Sequence, residues 1–317
     1  MVNFWEPESL PAHLRGRRLQ PLREELRQAR ETGFRPVSLG LVALYLAFGA
    51  VLITVMPNAA VAAVVVVGLA WGQWYFSDKL ALASMGARVV TPEQAPELHG
   101  MIDRLCALAD MPKPTVAVAD TDLPNAFATG RSPSHSAVCV TTGILRRLDG
   151  EELEGVLSHE LAHVANRDVS VMTVASSLGL LAGFLIRWFP FMGGGRDRNN
   201  NAALMFLVVW VASLIAYFIS FLLTRALSRY RELSADRSGA YLTGKPSALA
   251  SALTKITGDM GRIPSKDLRQ VENMSAFFFA TPAFSRDSFA GLMSSHPPVE
   301  KRLEQLAHIS ADLGRPL

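Results

Sequence analysis

The chain has 317 residues, half of them hydrophobic and only 19% charged, with a formal net charge of +3. Soluble chains carry about 25% charged residues, so the shortfall points toward a membrane. The small basic excess suits loops facing anionic lipid, and with no arginine-rich helix or aromatic-basic interleaving it sets a nucleic-acid partner aside.

Residues 1–37 are rich in arginine, and "PLREELRQARE" reads as a short polar helix at a membrane surface. The charged region is too long for a cleavable signal peptide. Residues 38–77 hold two apolar segments, "LGLVALYLAFGAVLITVM" (39–56) and "AAVAAVVVVGLAWGQWYF" (59–76), linked at Pro57-Asn58. Each spans about 27 Å as a helix, close to a bilayer core of about 30 Å, so the pair predicts a transmembrane hairpin.

Residues 78–168, which contain H-E-x-x-H at 159–163, predict the first part of a catalytic domain. "LHGMIDRLCALADM" has helical periodicity, "PTVAVAD" and "HSAVCVTTG" alternate like strands, and "NAFATGRSPSHSAVCV" reads as a hairpin. "DGEELEGVLSHELAHVAN" predicts a helix with Asp149 as N-cap and Glu152 at the capping-box position. Cys106 and Cys139 lack CxxC spacing, which predicts two buried thiols in a reducing compartment.

Residues 169–223 predict a second transmembrane hairpin, "VSVMTVASSLGLLAGFLIRWFPFM" and "AALMFLVVWVASLIAYFISFLL", joined by the polar turn "GGGRDRNNN". Residues 224–317 are mainly helical and predict the second part of the catalytic domain. Arg23, Arg27, Arg30, Arg35, Lys79, Arg88, Arg225, Arg229 and Arg231 flank one side of the segments. The other side has Arg196 and Arg198, with Arg187 at the boundary. The positive-inside rule then places both termini and both catalytic pieces in the cytoplasm. With the pattern H-E-x-x-H standing at 159–163 on the predicted helix, the fold class expected is mainly α: four transmembrane helices plus a cytoplasmic zincin-like metalloprotease domain with a small β element.

His159 and His163 stand four apart on the predicted helix and share one face. Two imidazoles so placed can take one zinc ion at about 2.0–2.1 Å. Glu160, turned about 100° round the helix, can act on a water at the metal without being a ligand. Val156, Leu157, Leu161, Ala162 and Val164 make this helix apolar all round, unlike a helix carrying an exposed histidine pair. A catalytic zinc has three protein ligands and one open position. The residues alone leave the third among Glu232, Asp236, Asp259, Asp267, Glu272, Glu300 and His296. Glu232 and Asp236 lie one turn apart, and small Ala235, Gly239 and Ala240 would let their helix approach closely. No G-x-x-x-x-G-K-[ST] occurs, so ATP is not implied.

"HELAHVANRD" (159–168), an apolar pair of segments, then R-x-x-E-x-x-A-D from Arg229 to Asp236 resembles the HtpX-type membrane zinc metalloproteases, relatives of the CAAX prenyl proteases. "NAFATG" (125–130) and "SHPPVEKRL" (295–303) resemble two further motifs of that family. Serine stands where threonine is expected before His-Pro-Pro, and residues 258–292 match poorly. The resemblance implies one Zn2+ per chain held by His159, His163 and Glu232, with Glu160 as catalytic base and Asp236 behind a ligand histidine. It implies that Asn125, Ala126, Phe127, Ala128, Thr129 and Gly130 form a substrate-binding strand. His296 is a candidate donor to the oxyanion. The function implied is a multi-pass endopeptidase of the cell membrane that cleaves misfolded membrane proteins or membrane-bound peptides. A prenyl-peptide protease and a non-catalytic zinc-stabilised scaffold are the alternatives.

Overall fold

The computed structural model describes residues 35–55, 64, 67–68, 71–72, 74–192, 200–260 and 297–314. The Arg-rich start, the Pro57-Asn58 turn, much of the second apolar segment, most of the Gly-rich turn and residues 261–296 lie outside them. The chain is mainly helical with one small sheet, and it divides into two units.

The first unit takes its described residues from 75–170 and 229–314. Its elements begin with α2 (Ser77–Ser84), β1 (Arg88–Val89), α3 (Pro96–Leu108), β2 (Thr115–Ala119), β3 (Ala126–Ser132) and β4 (His135–Thr141). The sheet order is β1-β2-β4-β3. β2 and β4 run parallel, the other pairs antiparallel. Strand alternation divides the side chains between two faces. Ala117, Ala119, Phe127 and Cys139 pack with Ala81 of α2. Val116, Val138 and Val140 are buried as well, and α5 (Gly150–Ala165) packs against β3 and β4. The β3–β4 hairpin closes with a register shift between Gly130 and Ser132. Gly130 has φ +141°, and a Cβ there would stand 2.3 Å from the His135 carbonyl oxygen, so only glycine fits.

The short α4 (Thr142–Arg147) starts at Thr141, whose hydroxyl accepts the Ile144 N–H at 3.1 Å. The same oxygen accepts the Asn125 N–H at 3.0 Å, fixing where β3 begins. Helix α5 carries the full capping box. Asp149 accepts from the Glu151 and Glu152 amides at 3.0 Å, and Glu152 accepts the Asp149 N–H at 3.0 Å. α5 is flanked by α3 and by α8 (Pro246–Met260), which in turn packs on α9 (Val299–Asp312).

The second unit takes its described residues from 35–74 and 171–228. It holds α1 (Arg35–Val55), nearly all of α6 (Asp168–Met192) and the first part of α7 (Asn200–Thr243). Phe48, Leu178, Ala182, Leu185, Val209 and Ala216 form its core. Close packing uses small residues: a Cβ on Gly179 would meet Ser220 Oγ at 3.2 Å. The Tyr45 hydroxyl donates to the Val174 carbonyl at 2.5 Å and accepts the Leu178 N–H at 3.0 Å, so it sits between two groups of the α6 ladder. Leu39, Val42, Leu46, Val174, Leu207 and Ile215 point outward and are exposed. Two helical stretches, Asp168–Arg187 and Leu207–Thr243, are long and apolar enough to cross a membrane, and Leu39–Ala50 is a shorter apolar helix.

Sequence patterning predicts the fourth apolar segment and "RALSRYRELSADRSGAYLTG" as separate pieces. They form one helix of 44 residues, because no glycine or proline interrupts the polarity change near Arg225.

Candidate metal centre and active site

Helix α5 turns His159 and His163 to the same side, with their Nε2 atoms 3.1 Å apart. Glu232 on α7 completes a triangle. Its Oε2 is 3.7 Å from His159 Nε2, and its Oε1 is 3.5 Å from His163 Nε2. Zinc–ligand bonds of about 2.0–2.1 Å at tetrahedral angles require ligand–ligand edges of about 3.3–3.4 Å. The two histidine nitrogens lie close to that separation, each faces one oxygen of the Glu232 carboxylate, and one ligand atom from each of the three residues lies within 4.8 Å of the others, so this donor set fits a single metal ion. Among the described residues, His159, His163 and Glu232 are the group that can hold a metal ion.

The close approach of α7 to α5 rests on Gly239. A Cβ there would lie 2.8 Å from Ser158 Oγ and 2.9 Å from the His159 amide nitrogen. Position 239 therefore sets how near Glu232, two turns earlier on α7, comes to the histidines.

Each ring has its other nitrogen held. His159 Nδ1 is 2.8 Å from Asp236 Oδ1, and Asp236 receives two hydrogen bonds of 2.6 Å from the Arg302 guanidinium. His163 Nδ1 is 2.6 Å from Asp168 Oδ2, which Arg231 approaches at 2.9 Å. An Nδ1–H donating to a carboxylate leaves the Nε2 lone pair for a metal. The buried centre holds Glu160, Glu232, Asp168 and Asp236 against Arg231 and Arg302. With neutral rings, two negative charges remain, which a divalent cation balances.

The electrostatics agree. Burial opposes charge on His159, but Asp236 beside it, with Glu232, outweighs that and holds the metal-free ring up at about 9. The site therefore favours positive charge at that imidazole. Burial likewise opposes the Asp236 and Asp168 carboxylates, yet Arg302 and Arg231 beside them keep both below the usual carboxylate range. Burial pushes Glu160 up, with Glu232 adding and the two histidines opposing. A carboxylate raised in this way is better matched to taking and returning a proton near neutral pH.

Glu160 is also oriented. Its Oε2 accepts the Ala128 N–H from β3 at 2.9 Å. That bond reads out the strand's geometry, because an amide given to Glu160 faces away from β4. By strand alternation Ala126, Ala128 and Gly130 present their backbone to the free edge, and β3 is an edge strand of the sheet. Asn125, Ala126, Phe127 and Thr129 are buried, whereas Ala128 and Gly130 are partly exposed. The partly exposed residues of this stretch that turn their backbone away from β4 are thus Ala128 and Gly130.

Of the residues expected from sequence, His159, Glu160, His163, Glu232, Asp236 and Ala128 come together. Glu300 is exposed on α9, away from the metal-holding group. His296, Asp267 and Glu272 lie outside the described residues. Sequence reasoning missed Asp168, Arg231 and Arg302. Arg302 did leave a trace: it falls in the stripe Arg302, Leu306, Ile309, Ser310 that α9 buries, where an arginine needs a buried anion.

The family model for peptidase family M48 matches residues 92–310, from just before α3 to within α9, and so contains every residue of this centre. The chain belongs to peptidase family M48. A relative named Protease HtpX homolog 1, from Streptomyces coelicolor, is 56% identical over 281 residues, covering 87% of this chain and 90% of the relative. A Protease HtpX homolog from Moorella thermoacetica is 49% identical over 277 residues, covering 86% and 92%. A Protease HtpX homolog 2 from Methanosarcina acetivorans is 51% identical over 242 residues, covering 76% and 82%. Among solved structures, Ste24p from S. mikatae aligns with a TM-score of 0.55 at 16% identity, over 91% of this chain and 66% of that one. That likeness extends the shared fold to the helices outside the M48 match. The protein is an HtpX-type metallopeptidase.

Proposed function

We propose that this M48 peptidase is a zinc endopeptidase whose site faces the cytoplasm and whose substrates are membrane proteins or membrane-bound peptides, damaged ones above all. One zinc ion is held by His159, His163 and Glu232. The single observation that carries this is the triangle of two Nε2 atoms and one carboxylate, with edges of 3.1–3.7 Å, and Glu160 oriented beside it. When bound, zinc supplies Lewis-acid polarisation of the scissile carbonyl and acidifies water.

The chain's own residues do the rest. An extended peptide adds to the outer edge of β3 through the Ala128 carbonyl and the Gly130 backbone, while the Ala128 N–H stays with Glu160. Glu160, aligned by the Ala128 amide, takes a proton from the attacking water on its carboxylate and gives it to the leaving amine. Asp236 and Arg302 keep the His159 ring turned.

Membrane placement is supported by chain connectivity. Asp168, five residues after His163, begins an apolar helix, and Glu232 follows Leu223, the last residue of an apolar run, within three turns of the same helix. The apolar residues exposed on the second unit form a surface that suits lipid. The distribution of arginine and lysine supports four spans with both termini in the cytoplasm. Reporter fusions after Phe76, within residues 193–199 and at the C-terminus would test this, and an external C-terminal reporter would overturn it.

The test of activity is proteolysis of an unfolded model protein by the full-length protein in detergent, with zinc and with a chelator. Glu160→Gln should bind zinc as wild type does and lose cleavage by about 10²–10⁴-fold. Zinc-loaded wild type that cuts a prenylated peptide but no unfolded protein would replace this reading with the prenyl-peptide one.

A further inference from the structure

Asp168 follows a backbone turn that its sequence does not favour. Helix α5 ends at Ala165, and Arg167 takes φ +56°, a left-handed conformation that non-glycine residues rarely adopt. That turn brings the next residue back toward the helix it has just left. Asp168 then sits in the first turn of α6, the helix end that favours negative charge. Its side chain is 6% exposed, with Oδ2 2.6 Å from His163 Nδ1. The same oxygen lies 2.9 Å from Arg231, the residue before Glu232 on α7. Adjacent residues on a helix diverge by about 100°, so one stretch of α7 sends a carboxylate to the metal side of His163 and a guanidinium to the carboxylate on its far side.

We propose that Asp168 and Arg231 are positioning residues for the metal centre. Through Nδ1 they hold the His163 ring with Nε2 toward the metal, and Arg231 keeps Asp168 turned to that ring. The proposal rests on the zinc site proposed above. Its rival is a plain ion pair tying α6 to α7. A tie needs only complementary partners at its two ends, whereas positioning needs a charged carboxylate on the imidazole. Outer partners of this kind change metal affinity by about 10–100-fold.

The experiment uses the full-length protein in detergent. Zinc affinity is measured by competition with a chromogenic chelator, and the visible spectrum of the cobalt-substituted protein reports ligand geometry. Asp168→Asn and Arg231→Gln should each weaken zinc binding about 10–100-fold and alter the cobalt spectrum. Arg231→Lys, which returns a positive charge to Asp168, should recover much of the affinity. Each single change leaves a buried charge without its partner and can fail to fold. The double variant Asp168→Asn/Arg231→Gln carries no orphaned charge and serves as the deciding protein. A folded double variant with wild-type zinc affinity and an unchanged cobalt spectrum overturns the proposal in favour of the tie. Wild type that takes up no zinc would instead remove the zinc site itself, and the two failures are distinct.

Discussion

A buried arginine is a costly residue, and Arg302 is 1% exposed. It stays charged because Asp236, fully buried, accepts two of its hydrogen bonds at 2.6 Å. Bidentate geometry of this kind suits a guanidinium and not an ammonium. Removing one partner of such a pair leaves the other charge stranded, which costs about 3–5 kcal/mol. Arg302→Met should therefore destabilise the first unit by that amount, measured by chemical denaturation in detergent. Adding Asp236→Asn should recover part of the stability while zinc affinity stays low, because the carboxylate behind His159 is gone. Full recovery of zinc affinity in the double variant would mean that Asp236 does nothing for the ring. The pair's stabilising effect also has a pH window. Asp236 is held below its ordinary value in the folded state, so its contribution is present above about pH 4 and is lost as pH falls further.

At the scale of elements, the close contact between α5 and α7 sets how near Glu232 comes to His159 and His163, and it is tightest at Gly239. Replacing glycine by alanine in a helix interior normally favours the helix by up to about 1 kcal/mol. At position 239 the new Cβ would press on the Ser158 hydroxyl and the His159 backbone. Overpacking of that kind costs about 1–3 kcal/mol, so the steric effect wins. Gly239→Ala should lower the unfolding temperature and weaken zinc binding, since α7 carries Glu232 and Asp236. Gly258→Ala on α8, where nothing lies within 4 Å of the new Cβ, should leave zinc binding unchanged and stabilise slightly. Equal zinc affinity in both variants would refute the role given to this contact. Much at this scale was legible beforehand. The capping box at Asp149 and Glu152, the four-residue spacing of the histidines and the small residues of α7 are local signals, and local signals survive in a sequence. The carboxylate behind His163 was not legible. In the sequence Asp168 is only the last residue of "HELAHVANRD" before an apolar run, and Arg231 is one of several arginines following another. What joins them is a left-handed turn at Arg167 and a crossing of two helices, neither of which has a spacing rule. The parallel pairing of β2 with β4 was hidden for the same reason, since β3 and its hairpin intervene in the chain.

At the scale of the whole molecule, the two cysteines separate the units cleanly. Cys106 and Cys139 are the chain's only cysteines, and both are buried in the first unit. Burial pushes the Cys106 thiol up to about 11, with Asp103 adding to it and Lys113 opposing. Burial pushes the Cys139 thiol up to about 12. Both exceed the ordinary 9.0, so the folded state keeps its thiol protons where an unfolded chain loses them. The resulting stabilisation is complete below about pH 9 and is lost as pH rises toward 11 and 12. Since thiolate is the reactive form, native protein at pH 8 should be alkylated only through opening of the first unit. A metal ion held as proposed, by residues of α5 and α7, would favour the closed form of that unit. Ligand at about 1,000 times its Kd adds about 4 kcal/mol, equivalent to a change of about 10³-fold in the open population. Chelation should accordingly speed alkylation of both thiols by up to that factor. The helical circular dichroism should change little, because much of it comes from α1, α6 and the first part of α7, which hold no metal ligand. Alkylation at the same rate with and without chelator would mean that the metal is dispensable for the fold and serves catalysis alone. Fast alkylation accompanied by loss of most helical signal would mean that the two units unfold as one.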